Sequence, residues 1–245
     1  MKADPQSQRR LLELAELDTS LAQLAHRRRT LPEHAELERL ERQIVDLEDE
    51  RVRAQVAVDD LDRDIARVDR DVEQVRQRAD RDRARLDAGT GPPKELEALQ
   101  HELGTLARRQ RELEDAELEL MEKREQAQSQ LDDVLSRLAS ARDAHAQTVQ
   151  RRDELLADIE KDTEQKTAAR GPLVASLPAD LVALYEKVRE STGIGAALLR
   201  HGRCGGCRLE LSGSEKARLR AAPPDEVVQC EECRRILVRT EESGL

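Results

Sequence analysis

Residues 37–65 read LERLERQIVDLEDERVRAQVAVDDLDRDI and place apolar side chains at steps of three and four residues. The spacing continues to Leu86, so that fifteen successive a and d positions of a seven-residue repeat include only two polar residues, Arg51 and Asp82. A heptad repeat of this length is typical of a coiled coil. The stretch predicts one helix over about residues 33–87, which at about 1.5 Å per residue is on the order of 80 Å long.

A second heptad repeat follows the first after a short break. Residues 88–93 read AGTGPP, and such a cluster of glycine and proline predicts a tight turn in a chain that is otherwise poor in glycine. The apolar repeat resumes at Leu96, runs to Ala141 and continues less regularly to Ile159. Two matched arms joined by six residues predict an antiparallel helical hairpin with its turn near residues 88–93.

Three a positions of the second arm are polar, namely Gln110, Glu117 and Arg124. Reflection about the turn places them opposite apolar a positions of the first arm. Polar residues at such positions usually fix the register of the two helices at some cost in stability. The alternative is that they mark a surface where a third helix docks, and the sequence favours the first interpretation without excluding the second.

A short helix is predicted before the hairpin. Leucines recur upstream in a different frame, and residues 30–33 read TLPE, which predicts a capping box with proline in the first turn of the next helix. The leading helix is therefore expected to end near Arg29, with a kink at residues 30–33.

The hairpin is predicted to end at Gly171-Pro172, because proline cannot continue a helix and glycine suits its C-terminal cap. Residues 177–190 then predict one amphipathic helix, and six glycines follow within 21 residues. The chain is accordingly divided into a coiled-coil hairpin over residues 1–170 and a second domain over residues 171–245.

All four cysteines lie in the second domain as two CxxC pairs, Cys204–Cys207 and Cys230–Cys233, with 22 residues between them. Each pair can form a tight turn that offers two thiolates, and two such turns complete a tetrahedron around zinc. Two disulfides or a redox dithiol are the alternatives. A redox pair is expected at a helix start in a βαβ unit, which neither pair has, so the spacing favours one structural Zn²⁺.

Residues that follow the cysteine pairs support a ribbon. Leu209 and Leu211 alternate after the first pair, and Ile236 and Val238 after the second, which predicts half-buried strands. Four thiolates close the metal site to a catalytic water, so the zinc is expected to serve folding. The sequence also lacks a phosphate-binding loop and a nucleophile constellation, and the protein is predicted not to be an enzyme.

The amino-acid composition excludes some classes of binding site. The chain has 245 residues, 38% of them charged, and Tyr185 is its only aromatic residue, which excludes a large aromatic-lined cleft. Tyr185 is expected to pack in a core.

No signal peptide and no apolar run of about 20 residues occurs, so we expect a cytoplasmic protein without a membrane partner. The formal charge of -10 falls on residues 1–170, because residues 171–245 carry 11 acidic and 11 basic side chains.

Several motifs together resemble one known family. They are KADPQSQRRLLELAELD near the start, PPKELEALQHEL after the turn, and CGGCRLEL with PDEVVQCEECRRILVR around the cysteines. With them the chain resembles the bacterial, especially actinobacterial, C4-type zinc-ribbon proteins with an N-terminal coiled-coil hairpin. The resemblance covers nearly the whole chain. It implies a mainly α fold, in which a long antiparallel coiled-coil hairpin precedes a small C-terminal α+β zinc-ribbon domain.

The chain differs from the family pattern at Arg234. The family usually has glycine directly after its last cysteine, where this chain has Arg234, and a turn with positive φ there would be mildly strained.

Family members are often described as nucleic-acid-binding proteins. Distant relatives resemble chaperones or regulators that contact RNA, sigma factors or secretion components.

Two competing functions follow from the sequence, and the first is the leading hypothesis. The first is nucleic-acid binding by the ribbon, because residues 200–220 carry six basic and two acidic side chains. The second, the alternative, is a protein-interaction adaptor or chaperone that uses the hairpin arms, and the resemblance implies a link to transcription or secretion machinery. Whether the protein is a monomer or a dimer stays open. The candidate phosphate contacts are Arg203, Arg208, Arg218, Arg220, Arg234 and Arg235.

Overall fold

A computed structural model describes all 245 residues and shows five α-helices and four short strands. In chain order they are α1 (Pro5–Arg29), α2 (Pro32–Ala88), α3 (Pro93–Ala175), α4 (Ala179–Thr192), β1 (Ala196–Arg200), β2 (Arg203–Cys204), α5 (Gly213–Ala221), β3 (Val228–Gln229) and β4 (Ile236–Val238). The chain forms two compact units, one of residues 35–149 and one of residues 1–34 with 150–245. The predicted mainly α fold with a hairpin and a small α+β ribbon is confirmed.

The unit of residues 35–149 is the antiparallel hairpin of α2 and α3. Gly89 lies at its tip with a φ of 61°, a conformation that glycine adopts without strain. Leu47 and Leu138 belong to one core cluster between the arms, and Val58 and Ala127 belong to another. These pairs are the a and d residues of the two repeats, so the heptad pattern is what holds the arms together.

Two of the polar a positions are satisfied inside the hairpin. The Nε of Arg124 donates to Asp62 on the opposite arm at 3.0 Å. The side-chain amide of Gln110 donates to Glu114 on its own helix at 2.8 Å. A charge pair between the arms favours one register over its neighbours, in line with the first interpretation of these positions.

The predicted capping box at residues 30–33 is wrong. Thr30 is the C-terminal cap of α1, and its hydroxyl donates back to the carbonyl of His26 at 2.9 Å. Pro32 does lie in the first turn of α2, as predicted. The hydroxyl of Thr30 therefore serves the C-terminal end of α1, where the Thr30 N–H also bonds to the carbonyls of His26 and Arg27.

The predicted end of the second arm at Gly171-Pro172 is also wrong, because α3 continues through this pair to Ala175. Leu173 and Leu177 are buried in the core that α1 and α4 share. Burial of these leucines stabilises the helix beyond the proline, so tertiary packing overrides a local helix breaker. The division into domains at residue 170 stays a prediction.

The second unit is built around a four-stranded sheet in the order β2-β1-β4-β3. Strands β1 and β4 are parallel, and the two outer pairs are antiparallel. Ile236 and Val238 pack into the core with α1 and α4, whereas Leu237 packs into the core that contains Cys204. The sheet is thus covered on both faces, and β4 is completely buried instead of half-buried as predicted.

The strand predicted after the first cysteine pair does not form. Only an isolated bridge between Arg203 and Glu210 is present there. Leu211 is buried, but Leu209 is 53% exposed. Two backbone hydrogen bonds join this segment to residues 202–204, from the Cys204 N–H to the Leu209 carbonyl and from the Leu211 N–H to the Gly202 carbonyl, which is too few to form a regular ladder.

A buried polar cluster joins α1, α3 and α4. The carboxylate of Asp18 is 1% exposed and accepts from the Tyr185 hydroxyl at 2.7 Å and from the Arg170 Nε at 2.7 Å. Glu186 also pairs with Arg170, and Arg189 bonds Glu186 at 2.7 Å. Tyr185 is a core residue as predicted, and its hydroxyl also anchors a network that the sequence did not reveal.

Tyr185 gives a prediction about alkaline pH. Burial, together with the bond to the Asp18 carboxylate, raises its pKa above the usual value. The folded pKa lies above that of an unfolded tyrosine, about 10, so this stabilisation is complete below that pH and is lost as the pH rises. We expect tyrosinate absorbance to stay flat beyond pH of about 10 and then to appear together with loss of helical circular dichroism.

The chain in denaturant is the control, because its single tyrosine then titrates near the ordinary value. A smooth titration of the native chain near that value, with helicity unchanged, would contradict the buried network.

None of the helices combines the length and the apolarity that crossing a lipid bilayer requires.

Candidate metal centre and ribbon surface

The two CxxC pairs form two turns with the same hydrogen bonds. The N–H of Arg208 donates to the carbonyl of Cys204 at 2.8 Å, and the N–H of Arg234 donates to that of Cys230 at 2.9 Å. In each turn the first cysteine also donates its own N–H to the carbonyl five residues later, at 3.0 and 2.9 Å. We call these turns the knuckles. They hold the four thiol groups on one side, as predicted from the spacing.

The four sulfur atoms fit a tetrahedral metal site. All Sγ atoms lie within 4.8 Å of one another, with Cys204 and Cys233 at 3.7 Å and Cys207 and Cys230 at 3.9 Å. A zinc–sulfur distance of about 2.3 Å in a tetrahedron requires sulfur atoms about 3.8 Å apart. A disulfide bond requires about 2.05 Å, which excludes that alternative for this arrangement. The cysteines form the site of one structural zinc ion.

The surroundings of the thiols shift their pKa values in different directions when no metal is bound. Burial raises the pKa of Cys204 to about 12 and also raises the pKa of Cys230. Burial acts in the same direction on Cys233, but hydrogen bonds from Arg235 outweigh it and lower the pKa to about 7. Buried thiols that resist ionisation need a cation to become thiolates, and zinc supplies that charge when it binds.

Glycines in the first knuckle allow close packing. A Cβ on Gly205 would lie 2.8 Å from the carbonyl oxygen of Leu198 on β1, and one on Gly206 would lie 2.5 Å from the side chain of Arg235. The CGGC motif thus lets the first knuckle contact both the sheet and the second knuckle.

Side chains outside the CxxC pairs also hold the ribbon together. Glu215 is 4% exposed and accepts from the backbone N–H of Glu231, beside Cys230, at 3.1 Å. Arg239 donates to five backbone carbonyls between residues 219 and 226. Neither contact was predicted from the sequence. The sequence SGSE of residues 212–215 was an available signal only for the start of α5, where the Ser212 hydroxyl accepts from the N–H of Glu215.

Both knuckles place an arginine in a left-handed conformation. Arg208 has a φ of 66° and Arg234 a φ of 65°. Each follows the second cysteine of its pair. The strain expected at Arg234 from the family's glycine is present, and Arg208 repeats it. Non-glycine residues in this region cost roughly 1–2 kcal/mol each.

We predict that Arg234→Gly stabilises the zinc-loaded chain by about 0.5–1 kcal/mol, because glycine has no Cβ to strain the turn. Arg234→Ala is the matched control, since alanine removes the same side chain but keeps the Cβ. Thermal unfolding followed by circular dichroism measures both. Equal stability of the glycine and alanine variants would show that the turn is not strained.

The six candidate phosphate contacts fall into different settings. Arg203 pairs with Glu210 at 3.6 Å, and Arg218 pairs with Glu231 at 3.1 Å. Each of these two positive charges is partly neutralised by its acidic partner. The side chains of three others are exposed and bond to no group of the chain, and these are Arg208, Arg220 and Arg234.

Arg235 has a structural role. Its guanidinium donates to the carbonyl of Thr192 at 2.7 Å and to that of Ile194 at 3.2 Å. It therefore ties the second knuckle to the C-terminal end of α4, where a cation is favoured by the helix dipole. The unpaired positive charges among the six candidates are therefore Arg208 and Arg234 in the knuckles and Arg220 on α5.

Comparison with known proteins agrees with this geometry. Residues 14–193 match the family model of the CT398-like coiled coil hairpin domain, and residues 203–237 match that of the C4-type zinc ribbon domain. The Mycobacterium tuberculosis protein Rv2229c is 42% identical over 241 residues, which cover 98% of each chain. The Mycobacterium leprae protein ML1638 is 32% identical over 216 residues, which cover 88% of this chain and 93% of that protein.

Solved structures share the fold. A structure from Mycobacterium smegmatis is 39% identical, with a TM-score of 0.83 over 98% of this chain and 100% of that one. CT398 from Chlamydia trachomatis is 19% identical, with a TM-score of 0.63 over 95% of this chain and 97% of that one. The chain belongs to the family of CT398-like coiled-coil hairpin proteins, and its hairpin is joined to a C4-type zinc ribbon.

Proposed function

We propose that this cytoplasmic, non-enzymatic protein binds nucleic acid through the surface around Arg208 and Arg234. The observation that carries the proposal is their shared conformation. Both arginines are held at positive φ, at equivalent places in the two knuckles, with exposed side chains that bond to nothing else in the chain. Strained backbone that the fold retains at an exposed charged residue points to a binding role.

The chemistry suits phosphate. Guanidinium groups bind phosphate oxygens in a bidentate manner, and neither arginine must first break an internal ion pair. Arg220 adds a third unpaired charge on α5. Arg203 and Arg218 would have to leave Glu210 and Glu231. The chain has a single tyrosine, and that residue is buried, so base stacking contributes little and binding is expected to depend on salt.

The test is fluorescence anisotropy of labelled RNA and DNA of mixed sequence with the zinc-loaded chain at low salt. We expect the double variant Arg208→Gln with Arg234→Gln to bind at least about tenfold more weakly, and its salt slope to fall by about 1.4–1.8 for two lost phosphate contacts. Arg53→Gln with Arg81→Gln on the hairpin is the control, because both arginines are exposed and unpaired.

Absence of binding by the unaltered chain at low salt would end the proposal, and so would equal weakening by the knuckle pair and the hairpin pair. The alternative role, docking of a partner helix on the hairpin, depends on different residues.

A further inference from the structure

Interhelical ion pairs distinguish two sides of the hairpin of residues 35–149. With a positions counted from Leu37 in α2 and from Leu96 in α3, the e positions of α2 lie on one side and its g positions on the other. The pairs are Arg76–Glu114, Arg124–Asp62 and Arg142–Glu48 on the e side, and Arg78–Glu102 and Arg137–Glu50 on the g side. On each helix the b positions lie next to the e positions and belong to the e side. The c positions lie next to the g positions and belong to the g side.

Most exposed apolar residues of the hairpin lie on one of these sides. Six large apolar side chains of the hairpin are between 43% and 60% exposed. Five of them occupy e or b positions, the sixth occupies an f position between b and c, and none occupies a c or g position. They are Val45, Val52, Val56, Leu118, Met121 and Leu135. A one-sided apolar surface on a rod that is otherwise highly charged marks an interaction site.

Charge follows the same asymmetry. Over residues 37–86 and 96–149, the e and b positions carry twelve acidic and four basic side chains, whereas the g and c positions carry nine of each. The net negative charge of these flanks therefore lies on the side that also exposes the apolar residues. We call the e and b positions of both helices the acidic-apolar face.

A cavity of about 530 Å³ opens on this face. Ile65, Ala66 and Met121 supply its apolar wall, and its acidic wall includes Asp69 and Glu125. These two carboxylates are exposed and have no partner in the chain. The polar a positions Glu117 and Arg124 line the same cavity, so the interrupted repeat coincides with an opening in the hairpin.

We propose that the acidic-apolar face docks an amphipathic helix of a partner protein whose apolar stripe is bordered by lysine and arginine. The apolar residues fit the stripe of such a helix, and the excess of carboxylates fits its basic border. A second copy of this chain fits less well, since a two-fold contact through this face would bring two strongly acidic surfaces together. The docking face does not depend on nucleic-acid binding by the ribbon.

The test uses the zinc-loaded full chain and a labelled synthetic helix with an apolar face of leucine and alanine bordered by lysine and arginine. Fluorescence anisotropy at low salt measures the affinity. We expect Asp69→Asn with Glu125→Gln to weaken binding roughly tenfold through lost charge complementarity. Asp71→Asn with Glu119→Gln removes the same charge from g and c positions and is expected to change binding less than about twofold, since surface pairs away from the contact contribute little.

Two further measurements test the apolar contacts of the face and the possibility that a second copy of this chain binds there. Leu118→Gln with Met121→Gln changes half-exposed residues and is expected to weaken binding roughly tenfold, as loss of central apolar contacts does. A peptide with glutamate at every basic position is expected not to bind. Equal weakening by the two charge pairs, or binding of the acidic peptide, overturns the proposal. So does a dimer in sedimentation that the Leu118→Gln and Met121→Gln variant abolishes.

Discussion

Cys204→Ser and Cys230→Ser are each expected to abolish zinc binding and to unfold the ribbon. Both cysteines are at most 2% exposed, and each supplies one of four sulfur ligands. Structural zinc contributes about 10 kcal/mol or more to folding in small zinc domains, which is comparable to the total stability of about 5–15 kcal/mol of a typical domain. Loss of one ligand therefore removes most of what holds the ribbon.

Native mass spectrometry measures the metal, and the fluorescence of Tyr185 reports the core on the other face of the sheet. Because β1 and β4 contribute to both cores, we expect the tyrosine signal to change when zinc is lost. The helical circular dichroism of residues 35–149 should remain, since that hairpin has its own core. Arg208→Gln is the control that keeps all four thiols. Retention of one zinc ion by the serine variants would contradict the assigned ligands.

Asp18→Ala is expected to destabilise the unit of α1, α4 and the sheet by about 3–5 kcal/mol, because removal of one partner leaves buried polar groups unpaired. Asp18 accepts from both Tyr185 and Arg170, and alanine would leave the tyrosine hydroxyl without an acceptor. Urea unfolding followed by circular dichroism measures the change.

Two matched variants separate the contribution of the Asp18 charge from that of the Tyr185 hydroxyl. Asp18→Asn keeps an acceptor for Tyr185 but removes the charge opposite Arg170, so a smaller loss of about 1–3 kcal/mol is expected. Tyr185→Phe removes only the hydroxyl, and combined with Asp18→Ala it should cost less than the sum of the two changes. Additive effects, or a loss below about 1 kcal/mol in Asp18→Ala, would show that the network does not hold α1 in place.

Local patterns in the sequence predicted the elements whose contacts repeat. Leu47, Val58 and the other a and d residues meet their partners in every heptad, so periodicity indicated the two arms, and the glycine and proline cluster between them indicated the turn. The cysteine spacing predicted the metal site for a similar reason, because each CxxC turn is formed by local hydrogen bonds.

Contacts between distant residues could not be predicted in this way. Asp18 and Tyr185 are 167 residues apart, and no local signal joins them. Asp18 does lie on the buried face of α1 with Leu11 and Leu14, and a lone acid on an apolar stripe was the available hint. Continuation of α3 through Pro172 likewise depends on the core into which Leu173 packs.

The properties of the surface arginines could be predicted only in part from the sequence. The strain at Arg234 was expected from the family's glycine, but its repetition at Arg208 became evident only when the two knuckles proved equivalent. The basic excess of residues 200–220 was visible in the sequence. Which arginines are free of acidic partners depended on the fold, since Arg203 and Arg218 are paired.

The central claim is that zinc holds the two knuckle arginines in place to bind nucleic acid. It is tested most directly by measuring oligonucleotide binding to the same full chain with zinc, after chelation and after zinc is restored. We predict saturable, salt-dependent binding that disappears on chelation and returns with zinc. Binding that is absent from the zinc-loaded chain, or that persists unchanged after the metal is removed, would contradict the claim.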